Sequence, residues 1–208
     1  MKVILSDCDG VLLNWQYAFD CWMEEKGYVK VRKHNWHYYI SEQYGLPKDK
    51  SAELVRQFLE SAAVGFLPAQ RDAVQYVKQI HKEFGYKFTV ISSISKDKYA
   101  QRLRIQNLNK LFGEEVFHDF ILLDTGEDKT EALSKFKDSQ NFWVEDKTEN
   151  AIVGHALGLR SILMEHGYNM HEELPFPIVE NWNDIYNIIR DIDNIQEDES
   201  LGLSFQKR

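Results

Sequence analysis

Asp7 and Asp9 close the first apolar run of the chain, and Glu145 and Asp146 close a later one. Ser92 and Ser93 end another such run, and Lys129 opens a helical pattern shortly before the second acidic pair. Carboxylates can attack an electrophile, pass a proton or hold a hard cation, while hydroxyls and an ammonium can hold an anion. Polar residues at the ends of apolar runs are common, because loops are polar. Two acidic pairs, a hydroxyl pair and one lysine in this order are much less so. Asp7 and Asp9 also fall on the same side of an extended chain, since side chains alternate along it. The 7 histidines share no ligand spacing, and Cys8 and Cys21 match neither a disulfide framework nor a paired zinc motif. Cys8 is expected to turn away from its two neighbours into the core.

These residues need elements that bring them together. Residues 2–6 read as a buried parallel strand, and residues 11–26 carry Trp15, Phe19, Trp22 and Met23 at helical spacing before Gly27. Two more helical segments are expected at 36–44 and 51–63, separated by Gly45-Leu46-Pro47, with Ser51 as the cap of the second. From Phe66 the pattern alternates. Helices are expected at 71–84, 98–112, from Asp128-Lys129 onward, to about Leu157, and at 182–192; strands at 87–91, 120–123, 142–144 and 160–164. Alternating strands and helices make a parallel sheet covered on both faces, and such sheets put their sites beyond the carboxyl ends of the strands. The expected fold class is therefore α/β, a three-layer Rossmann-like parallel sheet with a small helical cap inserted after the first strand. The core is expected over residues 1–14 and 65–192, the cap over 15–64, and a flexible acidic tail over 193–208.

Composition narrows the partners. The 208 residues are 43% hydrophobic with a formal net charge of -8, so they can build a core but lack the basic excess that tracks polymeric nucleic acid. No apolar run is long enough for a bilayer, and the first residues lack a signal-peptide pattern, so a cytoplasmic chain without a membrane partner is expected.

Asp7-Cys8-Asp9-Gly10-Val11, Ser92, Lys129 and Glu145-Asp146, in that order, resemble the haloacid dehalogenase superfamily of phosphotransferases. The resemblance covers the chain to about Met164 and implies a phosphatase. An attacking carboxylate needs Mg²⁺ to offset the repulsion of a dianionic phosphomonoester. Asp7 would be the nucleophile and Asp9 the general acid and base, with Lys129 balancing charge. Ser92 would bind a phosphoryl oxygen, with Ser93 a weaker contact. Mg²⁺ would be held by Asp7, the Asp9 carbonyl and Asp146, with Glu145 a secondary candidate, direct or through water. An acid at position 9 suits phosphatases and phosphomutases; dehalogenases of the superfamily lack it.

A narrower likeness, to 5'(3')-deoxyribonucleotidases, rests on the short cap, Ser92-Ser93, Asp128-Lys129-Thr130, the acidic pair before Lys147, and Glu180-Asn181-Trp182. Glu145 departs from the usual aspartate of that pair. This likeness implies a small phosphorylated metabolite as partner, with a (deoxy)nucleotide monophosphate as the leading class. Trp15, Tyr17, Phe19, Tyr28, Trp36, Tyr38 and Tyr39 crowd the cap, where they pack its core or stack on a base. Sugar-phosphate phosphatase, phosphomutase and a non-catalytic phospho-acceptor module are the alternatives.

Overall fold

The computed structural model describes residues 1–31, 37–170 and 173–205, with side chains described as far as residue 195. Six strands form one sheet: β1 (Val3–Ser6), β2 (Lys87–Ser93), β3 (Phe117–Leu123), β4 (Phe142–Glu145), β5 (Arg160–Met164) and β6 (Ile178–Val179). Their order is β3-β2-β1-β4-β5-β6, and every pairing is parallel. The expected parallel sheet is present, with a sixth strand too short for its two residues to register as a pattern.

Alternation along the strands sorts the core into two layers. Ile4, Phe88, Val90 and Val144 pack toward α4 (Ala73–Phe84), α5 (Lys98–Phe112) and α8 (Trp182–Phe205). Leu5, Ile91 and Trp143 point the other way, toward α6 (Thr130–Ser134) and α7 (Thr148–Ala156). Asp7 has the same parity as Leu5, which directs it to the α6 side. Trp182 anchors the start of α8: its indole N–H donates to the Val11 carbonyl at 2.8 Å, and both Asp72 carboxylate oxygens accept from the backbone N–H groups of Trp182 and Asn183. Glu180-Asn181-Trp182 thus precedes and opens a helix whose first turn is capped from α4's end of the chain.

Between β1 and β2 lie α1 (Trp15–Glu25), α2 (Ile40–Tyr44), α3 (Lys48–Leu59) and a 3-10 turn at Ala62–Gly65. Asn14 caps α1 by accepting from Tyr17 N–H. Trp15 stacks on Phe19 at 4.7 Å, and both meet Phe58 edge-on. Trp15, Phe19 and Tyr28 of the expected aromatic crowd are therefore packing, while Tyr17, Tyr38 and Tyr39 are exposed. Trp36, where the second helix was expected to begin, lies outside the described residues.

Two boundaries differ instructively. α3 begins at Lys48, not Ser51, whose hydroxyl instead donates back to the Pro47 carbonyl at 3.0 Å. The last helix does not stop at 192 but runs to Phe205. Asp193 is not a solvated tail residue: it is buried, with Lys2 Nζ at 2.6 Å and the Tyr86 hydroxyl at 3.3 Å. An acidic run read alone gives no sign of a cation supplied from the other end of the chain.

Candidate active site

The strand order turns at β1, which lies between β2 and β4, so the ends of these three strands converge. Asp7 directly follows β1, its N–H donating to the Val144 carbonyl at 2.8 Å. The chain then turns sharply, with Leu12 N–H on the Cys8 carbonyl and Gly10 N–H on the Leu13 carbonyl. Gly10 sits at φ 80°, and a Cβ there would collide with the Asp146 carboxylate. Glycine is required at this point twice over, for its conformation and for the approach of the second acidic pair.

Lys129 joins the two acidic groups. Its ammonium lies 2.8 Å from Asp7 Oδ2 and 2.8 Å from Glu145 Oε2, almost wholly out of solvent. Asp7 Oδ1 accepts from Cys8 N–H at 2.7 Å. Glu145 is fully buried and fully used: Oε2 accepts from Lys129 and Asn150, and Oε1 from the backbone N–H groups of Asp146 and Lys147. Each of its oxygens already takes two donors, which leaves little for a cation. Its work here is to hold Lys129 and shape the loop.

Asp146 is placed differently. Its Oδ2 accepts from the Tyr168 hydroxyl, and its backbone carbonyl accepts from Asn169 Nδ2 at 2.7 Å. The other Asn169 contacts, to Met164 and His166, fold the loop after β5 over the site. His166 Nε2 meets the Gly10 carbonyl at 2.8 Å and its ring stacks on Tyr168. The Tyr168 ring meets Tyr38 at 5.3 Å, and Lys147 Nζ lies over the Tyr38 ring, 5.4 Å from its centroid.

Asp9 lines the same cleft as Asp7, and its Oδ1 accepts from Nη1 of Arg104, a fully buried residue of α5. Cys8 turns away into the core as expected. Ser92 is buried and lines the cleft, and among the described residues its hydroxyl has no hydrogen-bond partner. Ser93 differs: its hydroxyl donates to the Glu127 carbonyl at 2.8 Å, tying β2's end to the loop before Lys129. The cleft has a volume of about 1340 Å³ and its far wall is built by Trp15, Tyr38, Tyr39, Val55 and Arg56.

Carboxylate oxygens of Asp7, Glu145 and Asp146 approach within 4.8 Å of one another. With Glu145 engaged, Asp7 and Asp146 are the side chains left to hold a cation, and an all-oxygen set fits a hard ion such as Mg²⁺. Burial, followed by the charge of Glu145, pushes Asp7 up to about 6 despite Lys129. Burial, followed by the charge of Asp7, pushes Asp146 up to about 6. Both pKa values are raised above their unfolded values near 3.8, so the metal-free fold holds protons that the unfolded chain has released. The stabilisation these two groups contribute is therefore expected to be present below about pH 4 and to be lost as pH rises through about 6. A divalent cation requires the deprotonated pair. Thermal melts with and without Mg²⁺ should show a larger upward shift near neutral pH than at about pH 5; equal shifts would disconnect the cation from these carboxylates.

Arg104, Tyr168 and Asn169 were not anticipated. Tyr168 and Asn169 follow the end of β5, where the same inspection of strand ends would have found them. Arg104 lies on the apolar stripe of α5, one turn from Ala100 and from Leu108, where a charged side chain is not expected.

No protein-family model matches the chain, and no curated protein sequence does. Solved structures do. A haloacid dehalogenase-like hydrolase from Streptococcus pneumoniae is 15% identical with a TM-score of 0.62, over 91% of this chain and 98% of that one. L-2-haloacid dehalogenase from Xanthobacter autotrophicus, with chloropropionic acid covalently bound, is 12% identical with a TM-score of 0.59, over 91% and 98%. CbbY from Rhodobacter sphaeroides, in complex with phosphate, is 17% identical with a TM-score of 0.54, over 88% and 95%. The chain has the haloacid dehalogenase-like α/β fold. Among the described residues, no helix is long and apolar enough to cross a membrane.

Proposed function

We propose that this chain is a Mg²⁺-dependent phosphatase that hydrolyses small phosphomonoesters through an aspartyl-phosphate on Asp7. The observation that carries this reading is Asp7 itself: a carboxylate at a strand end, one oxygen on buried Lys129, beside Asp146 and in one cleft with Asp9. Structural neighbours include a haloacid dehalogenase-type phosphatase from Thermococcus onnurineus and CbbY bound to phosphate or to xylulose bisphosphate. A dehalogenase shares the fold too, but the acid at position 9 favours phosphoryl transfer.

The cation would be held by Asp7, Asp146 and the Asp9 carbonyl, and when bound it would offset repulsion between Asp7 and the ester and align the phosphoryl oxygens. Lys129 keeps Asp7 ionised and adds positive charge where the phosphoryl group arrives. Ser92 offers its hydroxyl to a phosphoryl oxygen. An oxygen of Asp7 attacks phosphorus, and the bond to the leaving oxygen breaks as that oxygen takes the proton of Asp9. Water then attacks phosphorus while Asp9 takes its proton; the Asp7–phosphorus bond breaks and phosphate leaves. Tyr168 holds Asp146 in place, Gly10 leaves room for it, and Glu145 holds Lys129.

The proposed substrate class is a deoxyribonucleotide or nucleotide monophosphate. Its support is the Tyr38 and Tyr39 pair on the cleft wall: both rings line the cleft and keep exposed surface, Tyr39 more than Tyr38, which also meets Tyr168. The two free cysteines suit the cytoplasm, the expected compartment.

A panel of deoxynucleotides, ribonucleotides and sugar phosphates tests the reading. Phosphate release is expected from nucleotides first, and is expected to stop with EDTA. Release from sugar phosphates alone would keep the chemistry and overturn the substrate class. No release from any of them would overturn the phosphatase.

A further inference from the structure

Arg104 is the largest anomaly in the core. It stands in the buried stripe of α5 between Ala100 and Leu108, with Phe112 one turn further, where an apolar side chain would pack without difficulty. Its side chain has no solvent exposure. Nη1 donates to Asp9 Oδ1 and lies 3.5 Å from Cys8 Sγ. Nε and Nη2 are buried with no hydrogen-bond partner among the described residues.

A buried guanidinium with one ionic partner and two unsatisfied nitrogens is a poor device for stability; well-packed apolar groups generally do as well or better. Such breaks of local rule are expected where function needs them. Arg104 cannot touch a ligand, because it is wholly buried. Asp9 can, since its side chain is 22% exposed and lines the cleft. One carboxylate oxygen is anchored to the core, which leaves the other for the cleft. The anchor also comes from a different element than the loop that carries Asp9, so it constrains the carboxylate where the loop's own turn does not.

We infer that Arg104 is a positioning residue for proton transfer: it pins Asp9 from beneath, so that the free oxygen meets the leaving oxygen and then the attacking water. This rests on the phosphatase reading above and goes beyond it, by naming the residue that sets the geometry of the acid and base.

Leaving groups separate this role from a merely structural one. An acidic leaving group, such as p-nitrophenolate, departs without a proton; an alkoxide does not. The experiment compares kcat/KM for p-nitrophenyl phosphate and for an alkyl phosphate, here glycerol 2-phosphate, in the full chain and in Arg104→Met. General acid–base catalysis is typically worth 10²–10⁴-fold, so the alkyl substrate is expected to lose on the order of 100-fold and formation of the phosphoenzyme from the aryl substrate only a few-fold. Arg104→Lys, which keeps the charge and loses the planar fork, is expected to recover part of the alkyl rate. Should Arg104→Met fail to fold, Arg104→Lys decides, with about a 10-fold fall in the alkyl-to-aryl ratio expected. An unchanged ratio in the folded variants would overturn the inference and leave the phosphatase standing. A wild-type chain that releases phosphate from neither of these esters nor from the nucleotides and sugar phosphates above would overturn the phosphatase, and the inference with it.

Discussion

Asp7→Asn is expected to abolish phosphate release, by more than about 10⁴-fold, because the amide cannot form the covalent intermediate. The fold should survive. The amide oxygen can still accept from Cys8 N–H or face Lys129, so the loop keeps its internal bonds. Stability should even rise in the metal-free protein at neutral pH. Asp7 is buried close to Glu145 and Asp146, and its pKa lies above the ordinary carboxylate value, so the ionised form opposes folding there. Removing that charge is expected to raise Tm near neutral pH and to leave it nearly unchanged at about pH 4, where Asp7 is protonated in the native state anyway. The cation-induced shift should shrink in the same variant. Activity assays and melts at two pH values read all of this. Retained turnover would move the nucleophile elsewhere, and a large loss of stability would make Asp7 a structural residue.

Lys129→Met should be damaging in a different way. The methionine keeps the volume, yet Asp7 and Glu145 then face each other in a buried site without the ammonium that lies 2.8 Å from each. Breaking a buried ion pair by removing one partner typically costs about 3–5 kcal/mol. The loss is expected to be greatest near neutral pH. It should ease as pH falls, because protonated carboxylates no longer need the cation. Activity should fall by about 10²–10³-fold at pH values where the variant remains folded, as charge stabilisation at the phosphoryl group is lost. Melts across pH together with kcat check both halves. A variant as stable as wild type near neutral pH would mean that the carboxylates are neutral in the metal-free protein and that Lys129 balances less charge than supposed.

How much of this was legible in the residues depends on what each signal needs. Asp7, Asp9, Ser92, Lys129 and Asp146 sit at strand ends or helix starts, and a parallel sheet brings those ends together whatever its detailed packing. The α/β class follows from the same alternation. Glu145 was visible as an acid but not as a saturated one, since its four donors come from Lys129, Asn150 and two backbone groups whose positions depend on the turn into α7. Ser93 reads as a weaker substrate contact beside Ser92; it lines the cleft, and alternation along β2 lets its hydroxyl donate to the Glu127 carbonyl. Arg104 was hidden by the rule that charged residues on amphipathic helices face solvent, and only the tertiary contact with Asp9 shows why this one does not. Asp193 was hidden for a similar reason, because its cation is Lys2.

The central claim is a covalent bond between Asp7 and phosphorus. A rapid acid quench during turnover of a nucleotide monophosphate or p-nitrophenyl phosphate, followed by intact-mass and peptide analysis, tests it most directly. The account predicts a transient gain of one phosphoryl group, confined to the peptide carrying Asp7, labile to hydroxylamine and absent from Asp7→Asn. Turnover with no phosphorylated chain at any quench time, or a phosphoryl group on another residue, would contradict it.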